Sequence, residues 1–187
     1  MAHRYSILLL WMPSSAVEQL QAIQLQIQQE AGLNPDYLSL SIWQDCDFPE
    51  KYAVVLHESL GEPDLYATLL EPQIARMVDN LLAPPTVHKV LVRHSAGQHP
   101  GDIQPGQLMS MSVREAEPGY FEDLLAEVSD IFEAIQYVPG YLGSVYGQNV
   151  SLEDEVIGIV YWQHRQGFEE SMPRGSFYEI RLYERIS

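Results

Sequence analysis

Two histidines are the side chains best placed for proton transfer in this 187-residue sequence. His57 ends an apolar run that begins at Tyr52, and His164 follows a second apolar run by two residues. An unperturbed histidine has a pKa near neutrality, so either ring could act as a general base or a hydrogen-bond donor. Each also has a structural interpretation, because a buried histidine is usually hydrogen-bonded within the core, and one at a strand end is usually exposed.

No metal-binding or nucleophile motif accompanies these histidines. The six histidines are not spaced as metal ligands, and the sequence has neither a glycine-rich phosphate loop nor a nucleophile elbow. The single cysteine, Cys46, can form neither an intramolecular disulfide nor a zinc motif. We therefore expect no metal site and a reducing compartment.

The charge of the chain argues against polyanionic partners. With 26 acidic and 10 basic residues, the formal charge is −16, which repels nucleic acid and anionic membrane surfaces. The apolar run at residues 7–12 is far shorter than the roughly 20 residues that span a bilayer, and no signal-peptide cleavage pattern follows it. We expect a cytoplasmic protein with no nucleic-acid or membrane partner.

The first half of the sequence predicts six elements in the order βαββαβ. Residues 5–11 form an apolar run of strand length, and Ser15 and Glu18 have the spacing of a helix capping box. The helix is predicted to end at Gly32. Later elements are predicted as strands at residues 37–43, 52–57 and 86–94, with a helical region at 64–82 that Pro72 interrupts.

The second half repeats this order after a segment rich in glycine and proline, residues 95–106, which we interpret as a linker. Residues 108–113 alternate apolar residues with serines, as expected for a strand with one buried face. Pro118 suits the first turn of an amphipathic helix. Later elements are predicted as strands at residues 141–146, 156–162 and 178–186, with a short helix at 168–172.

One short segment matches between the halves. PDYLSLSIWQD at residues 35–45 aligns its proline, tyrosine and leucine with those of PGYLGSVYGQN at 139–149. Both segments follow the first helix of their half. We interpret the chain as a tandem duplication with a first unit at residues 1–94, a linker at 95–106 and a second unit at 107–187; two unrelated halves are the alternative.

Each βαββαβ unit would form a four-stranded antiparallel sheet with both helices on one face and the other face bare. The strand at 156–162 is apolar on both faces, with Ile157, Ile159 and Tyr161 opposite Gly158, Val160 and Trp162. We therefore predict an α+β fold of two ferredoxin-like units in tandem, whose antiparallel sheets pair into an intramolecular α/β barrel. The fused units could assemble further into a homo-oligomer.

The second unit resembles the antibiotic-biosynthesis monooxygenase family of dimeric α/β-barrel proteins. The resemblance rests on EVIGIVYWQHRQGF at residues 155–168, where a strand ends in an aromatic-Trp pair before a short helix that begins near a phenylalanine. VREAEPGYFEDL at 113–124 resembles the start of that family, in which an arginine ends the first strand and Pro-Gly opens the helix. The first unit matches only by the order of its elements and by residues 35–45.

The resemblance implies a pocket between the sheet and the helices of each unit. Trp162 matches a family tryptophan on the helix-facing side of the third strand, and His164 would share that face as a base or donor. Tyr141, Tyr146 and Tyr161 are the expected anchors for a phenolic ligand, although tyrosines on barrel strands are usually structural. In the first unit, we place His57, with Glu58 beside it, at the position of Trp162.

Members of this family include cofactor-free oxygenases of polycyclic phenols, heme-degrading monooxygenases and proteins without an assigned activity. The heme-degrading branch combines an asparagine late in the first strand, the tryptophan and a histidine on the second helix, of which only Trp162 is present; Val113 stands near the asparagine position. The resemblance thus implies a monooxygenase or related small-molecule enzyme without a cofactor or metal, with Trp162, His164 and His57 as candidate catalytic residues and a small apolar or phenolic molecule as its partner. The alternative is a non-catalytic binding or assembly protein with the same fold.

Overall fold

The computed structural model describes residues 2–61, 64–172 and 179–187. The first half contains β1 (His3–Trp11), α1 (Val17–Ala31), β2 (Tyr37–Asp45), β3 (Lys51–Ser59), α2 (Glu71–Ala75) and β4 (Thr86–Gly97). The second half contains β5 (Leu108–Glu115), α3 (Phe121–Ile135), β6 (Tyr141–Asn149), β7 (Glu155–Trp162), α4 (Arg165–Ser171) and β8 (Ile180–Arg185). Every helix in these ranges is too short or too polar to cross a membrane.

The eight strands close into one antiparallel barrel in the order β1-β3-β2-β8-β5-β7-β6-β4. Each half contributes four consecutive strands in the same internal order, β4-β1-β3-β2 from the first and β8-β5-β7-β6 from the second. The halves join at two seams, where β2 pairs with β8 and β4 pairs with β6. The predicted α+β fold of two ferredoxin-like units paired into an intramolecular barrel is therefore confirmed.

The two halves also share an irregularity of strand register. The β2–β3 ladder shifts between Tyr37 and Ser39, and the β6–β7 ladder shifts between Tyr141 and Gly143. Both shifts lie within the matched sequence segments, directly after the aligned tyrosines. A bulge re-aims every side chain beyond it, so the shared bulge fixes which positions of the two units are equivalent.

Three layers of apolar side chains form the core. The barrel interior holds one cluster, which includes Trp43, Ile157 and Tyr161. A second cluster lies between the first-unit sheet and its helices, and a third, which includes Val160 and Trp162, lies under α3 and α4. Alternate residues of β7 thus enter different clusters, and the prediction that both faces of this strand are buried is confirmed.

Several boundaries differ from the sequence prediction. β4 continues to Gly97, three residues into the predicted linker. We call the segment between β4 and β5, residues 98–107, the connector. Its Ile103 side chain is buried in the barrel interior. The Arg185 guanidinium donates to the carbonyl oxygens of Pro100, at 2.7 Å, and Ile103. The connector therefore closes one end of the barrel. The division into two units at this segment stays a prediction.

The helical regions after β3 and β7 also differ in extent. The region predicted at 64–82 consists of a π-helical turn (Tyr66–Leu70), the short α2 and a 3-10 turn (Val78–Asn80). The last helix begins at Arg165, three residues before the predicted start. Residue 178, predicted to begin the last strand, lies outside the described residues.

Candidate functional site

A small cavity lies between the second-unit sheet and helices α3 and α4, and we call it the α3/α4 pocket. Its volume is about 60 Å³, well below the ~300–1,000 Å³ of typical ligand pockets. One wall carries polar groups, and the facing wall is mainly apolar. The polar wall comprises Ser110, Ser112, Arg114 and Trp162, and the apolar wall includes Ile131, Phe132, Ile135, Phe168 and Met172.

The polar wall follows from the alternation of β5. Successive side chains of a strand point to opposite faces, so Ser110, Ser112 and Arg114 face the helices while Met109 and Met111 enter the barrel interior. The alternation of apolar and serine residues indicated one buried face, but the serine face is covered as well. These three residues were not predicted as site residues, because alternation alone does not show which helix covers a polar face.

Trp162 lies in the pocket wall, as the resemblance implied. Its side chain is buried, and its indole Nε1–H donates to the Ser110 hydroxyl at 2.9 Å. The Tyr141 ring lies edge-on to the indole, with centroids 6.4 Å apart. Because the indole N–H already has an acceptor, Trp162 shapes the pocket and holds the Ser110 hydroxyl in place.

Gly158 makes room for the pocket's apolar wall. A Cβ atom at this position would lie 2.7 Å from Cζ of Phe132 and 3.1 Å from the Ser112 hydroxyl oxygen. Both distances are shorter than ordinary van der Waals contacts. The absence of a side chain at Gly158 therefore allows the Phe132 ring of α3 to lie directly on the sheet.

Arg114 places a guanidinium group in the polar wall of the pocket. Its guanidinium lies 3.1 Å from the Glu127 carboxylate of α3, and its side chain is 10% exposed against 49% for Glu127. The other described residues that line the pocket have no charged side chain. A guanidinium beside two serine hydroxyls on an apolar cavity suits a small molecule that carries one anionic oxygen.

His164 does not line the pocket. The strand ends at Trp162, and His164 is the exposed N-cap of α4, where its Nδ1 accepts a hydrogen bond from the Gly167 N–H at 3.3 Å. Its ring also lies against Gly140, where a Cβ atom would be 2.8 Å from the imidazole Cε1. The strand alternation that would have placed His164 beside Trp162 stops before it reaches this residue.

The three candidate tyrosines also lie outside the described pocket lining. Tyr161 points into the barrel interior, where it stacks on Trp43 at 5.8 Å, and burial raises its pKa well above the ordinary value. The Tyr141 hydroxyl donates to the Ala96 carbonyl, and the Tyr146 ring stacks on His94. These contacts are structural, within the barrel or at the seam between the halves.

His57 lies in the barrel interior rather than under the helices. Its ring stacks on Tyr5 at 4.4 Å and on His99 at 5.3 Å, with His3 at 5.2 Å. Burial, followed by the neighbouring His99 and His3, lowers its pKa to about 3. His57 is therefore uncharged at neutral pH and is packed against other rings.

The prediction that His57 stands at the position equivalent to Trp162 was wrong by one residue. Tyr37 pairs with Glu58 in the first unit, and Tyr141 pairs with Trp162 in the second. The equivalent of Trp162 is therefore Glu58, and the equivalent of His57 is Tyr161. The buried Glu58 carboxylate accepts from Arg4 Nε at 2.9 Å and from the Leu65 N–H at 3.0 Å.

No protein-family model matches the sequence, and a search of curated proteins finds no match. Among solved structures, a proposed monooxygenase from Lactobacillus acidophilus NCFM superposes with a TM-score of 0.74 at 13% identity, over 100% of this chain and 95% of its own. An anthrone oxidase-like protein gives 0.70 at 14%, over 99% and 92%. A heme-binding protein from Thermus thermophilus gives 0.61 at 12%, over 100% and 91%.

At these identities the similarity establishes the fold. The chain has the α/β-barrel fold of monooxygenase-like proteins, a group that includes ferredoxin-fold proteins related to antibiotic-biosynthesis monooxygenases. The expected resemblance to this group is confirmed at the level of the fold. The same fold occurs in proteins with different chemistry, so the function must be argued from the site.

The α3/α4 pocket does not fit heme. None of its described lining residues is histidine, cysteine or tyrosine, the side chains that commonly bind heme iron. The Met172 thioether lines the pocket, but a methionine ligand in heme proteins accompanies a histidine. Within the described ranges, no group of three or more histidine, cysteine or acidic side chains is arranged to hold a metal ion.

Proposed function

We propose that the second unit binds a phenolic small molecule as its anion in the α3/α4 pocket and oxygenates it without a cofactor. The observation that carries this proposal is the polar wall of Ser110, Ser112 and Arg114, which faces an apolar wall in the second unit. We also propose that the two units arose by duplication, because they share a strand order and a bulge at equivalent positions.

In this reaction the substrate itself supplies the electrons that reduce O₂. An electron-rich phenolate reacts with O₂ by itself: a CH₂ group between two aromatic rings becomes C=O, one oxygen atom enters the substrate, and the other leaves as water with the two hydrogens. The protein has to hold the anion and exclude bulk water. Arg114 would favour the ionised substrate by lowering the pKa of its hydroxyl group, while the serine hydroxyls orient it.

The small cavity sets a requirement for binding. A polycyclic substrate needs more than the observed 60 Å³, so part of the apolar wall has to move. The wall formed by Phe168 and Met172 is the natural candidate, because α4 is only seven residues long. Short helices have few internal hydrogen bonds and depend on packing.

A non-catalytic binding protein is the second candidate, and one observation favours it. The described lining of the pocket contains no histidine, aspartate or glutamate that could accept a proton. The indole N–H of Trp162 is also already bonded to Ser110. In this alternative the pocket binds the same class of anion but leaves it unchanged.

Oxygen uptake with an anthrone as the probe substrate separates these functions. We expect Arg114→Gln to reduce both anthrone binding and oxygen uptake by about 10-fold or more, because a hydrogen bond to a charged group contributes ~1.5–3 kcal/mol. The matched control is Arg93→Gln, which removes the same charge from an exposed residue that donates to Gln148. Binding under nitrogen without oxygen uptake in air would identify the non-catalytic alternative. Equal binding by wild type and Arg114→Gln would refute the pocket itself.

A further inference from the structure

In the part of the chain that the structure describes, the barrel has one closed end and one open end. The connector closes the end where β8 finishes, with Ile103 buried in the interior and Arg185 bonded to two connector carbonyls. At the opposite end, two adjoining cavities of about 240 Å³ and 200 Å³ share Leu9, Arg181 and Tyr183. We call this end the open mouth. Barrel mouths are common sites of small-molecule binding.

Apolar side chains form much of the throat of the open mouth. Leu9, Met111 and Val113 line it together with the Tyr183 ring, and the charged Arg181 and Glu179 complete the lining. Two aromatic side chains stand at the rim, where Trp11 is 43% exposed and Phe48 is 45% exposed. Exposed aromatic rings that adjoin a cavity form an apolar surface of the kind that marks a binding site.

Two cations lie at this rim in a chain that has only ten basic residues. Lys51 Nζ is 4.2 Å from the centroid of the Phe48 ring and 5.4 Å from that of Trp11. The Arg181 guanidinium lies 5.9 Å from the same Phe48 ring. Both side chains also line the first of the two cavities.

The two cations differ in their carboxylate partners. Arg181 pairs with Glu179, and it lies 3.7 Å from the Asp45 carboxylate. Lys51 forms no ion pair with the described residues, so its charge at the rim is not compensated by a neighbouring carboxylate. The two cations and two carboxylates at this rim balance in charge, so Lys51 can hold one anionic group at short range, whereas a dianion would be repelled by Glu179 and Asp45.

We propose that the open mouth is a binding site for a small aromatic monocarboxylate. The ring lies in the throat against Leu9, Val113 and Tyr183, and the carboxylate accepts from the Lys51 ammonium at the rim. The cavities are smaller than a drug-sized pocket, so the occupant has one or two fused rings. This site is on the interior side of the sheet, opposite the α3/α4 pocket, and its ligand is independent of the proposed oxygenase activity.

Calorimetric titration of the full chain with 2-naphthoate tests the site. We expect Lys51→Gln to weaken binding about 10-fold, because it removes one charge-assisted hydrogen bond. We expect Val113→Trp to abolish binding, since the larger side chain at a 39% exposed position fills the throat without entering the closed core. The neutral analogue 2-naphthalenemethanol should bind wild type and Lys51→Gln equally.

Two control variants locate the binding. Arg114→Gln lies in the α3/α4 pocket and should leave naphthoate affinity unchanged, and so should the surface variant Arg93→Gln. Thermal unfolding of each variant checks that the barrel is intact. Naphthoate binding that is lost in Arg114→Gln but kept in Lys51→Gln would overturn the proposal, as would an absence of binding to wild type at millimolar concentration.

Discussion

The two units place different side chains at equivalent positions of the same architecture. Where β5 and β7 carry Ser112 and Gly158 as a cross-strand pair, β1 and β3 carry Leu8 and Val54. Leu10 likewise stands at the position of Arg114, because Leu10 pairs with Tyr52 and Arg114 with Val156. The first unit therefore fills with apolar side chains the space that forms a cavity with a charged wall in the second.

The units also differ at the inner end of this site. Glu58 and Arg4 form a buried ion pair at the positions of Trp162 and Leu108, which pack as apolar side chains in the second unit. A buried pair with additional hydrogen bonds has a fixed geometry. Removing either member leaves the other charge buried and uncompensated, which is destabilising. The first unit thus has an ion pair and apolar side chains where the second has a pocket, and this comparison can be tested by substitution.

The largest effect is expected from breaking the ion pair of the first unit. Arg4→Gln would leave the Glu58 carboxylate buried without its main counter-charge, and we expect a loss of about 3–5 kcal/mol of unfolding free energy. The same substitution at Arg114 removes a partner from the half-exposed Glu127, and we expect less than about 1 kcal/mol. Urea denaturation measures both. Equal losses would mean that the buried pair does not distinguish the units.

The next effect concerns pH and the interior position where one unit has His57 and the other Tyr161. The folded-state pKa of His57 is about 3, below its value of about 6.5 in the unfolded chain, so the unfolded state binds more protons between these values. Stability contributed by the neutral ring is fully present above pH 6.5 and is lost as the pH falls toward 3. The pKa of His3 is lowered as well and acts in the same direction.

His57→Phe isolates this contribution. The stability difference between wild type and variant should change by up to about 1.4 kcal/mol per pH unit between pH 6 and 4, with the variant less sensitive to acid. Urea denaturation at several pH values measures it. Asp102 raises the pKa of His57, and Tyr5 and His99 pack against its ring. The change of stability with pH is smaller if these groups rearrange when the ring is protonated. Parallel stability curves for the two proteins would contradict the expected titration.

The sequence alone predicted the elements and their layers, since these depend on local periodicity. The apolar runs on both faces of β7 and the matched segments at 35–45 and 139–149 correctly predicted paired sheets. Register was the point of failure. The strand was predicted to end at His57, so aligning its end with Trp162 shifted the comparison by one residue, since the equivalent of Trp162 is Glu58. A one-residue slip moves a side chain to the opposite face, which is why His57 was assigned to the wrong side of its strand.

The site was predicted in part for a related reason. Trp162 was predicted from the family resemblance, and it lies in the pocket because it belongs to a regular strand, whereas His164 lies beyond the strand end and caps a helix instead. Arg114 was noted only because an arginine ends the first strand in the similar family. The serines were noted only as the polar face of a predicted strand. Their role depends on α3 and α4 covering that face, which is tertiary information that a period-two pattern does not contain.

The last comparison exchanges the residues at the centre of the two sites. Gly158→Val gives the second unit the side chain of Val54, and its Cβ would meet Phe132 at 2.7 Å. We expect a loss of about 1–3 kcal/mol in stability from overpacking, together with loss of anthrone binding. The converse, Val54→Gly, should cost a similar amount through a cavity in the first unit. It should create no anion binding there, because Leu10 stands at the position of Arg114. Anthrone affinity that survives Gly158→Val would show that ligand binding does not depend on the space that distinguishes the two units.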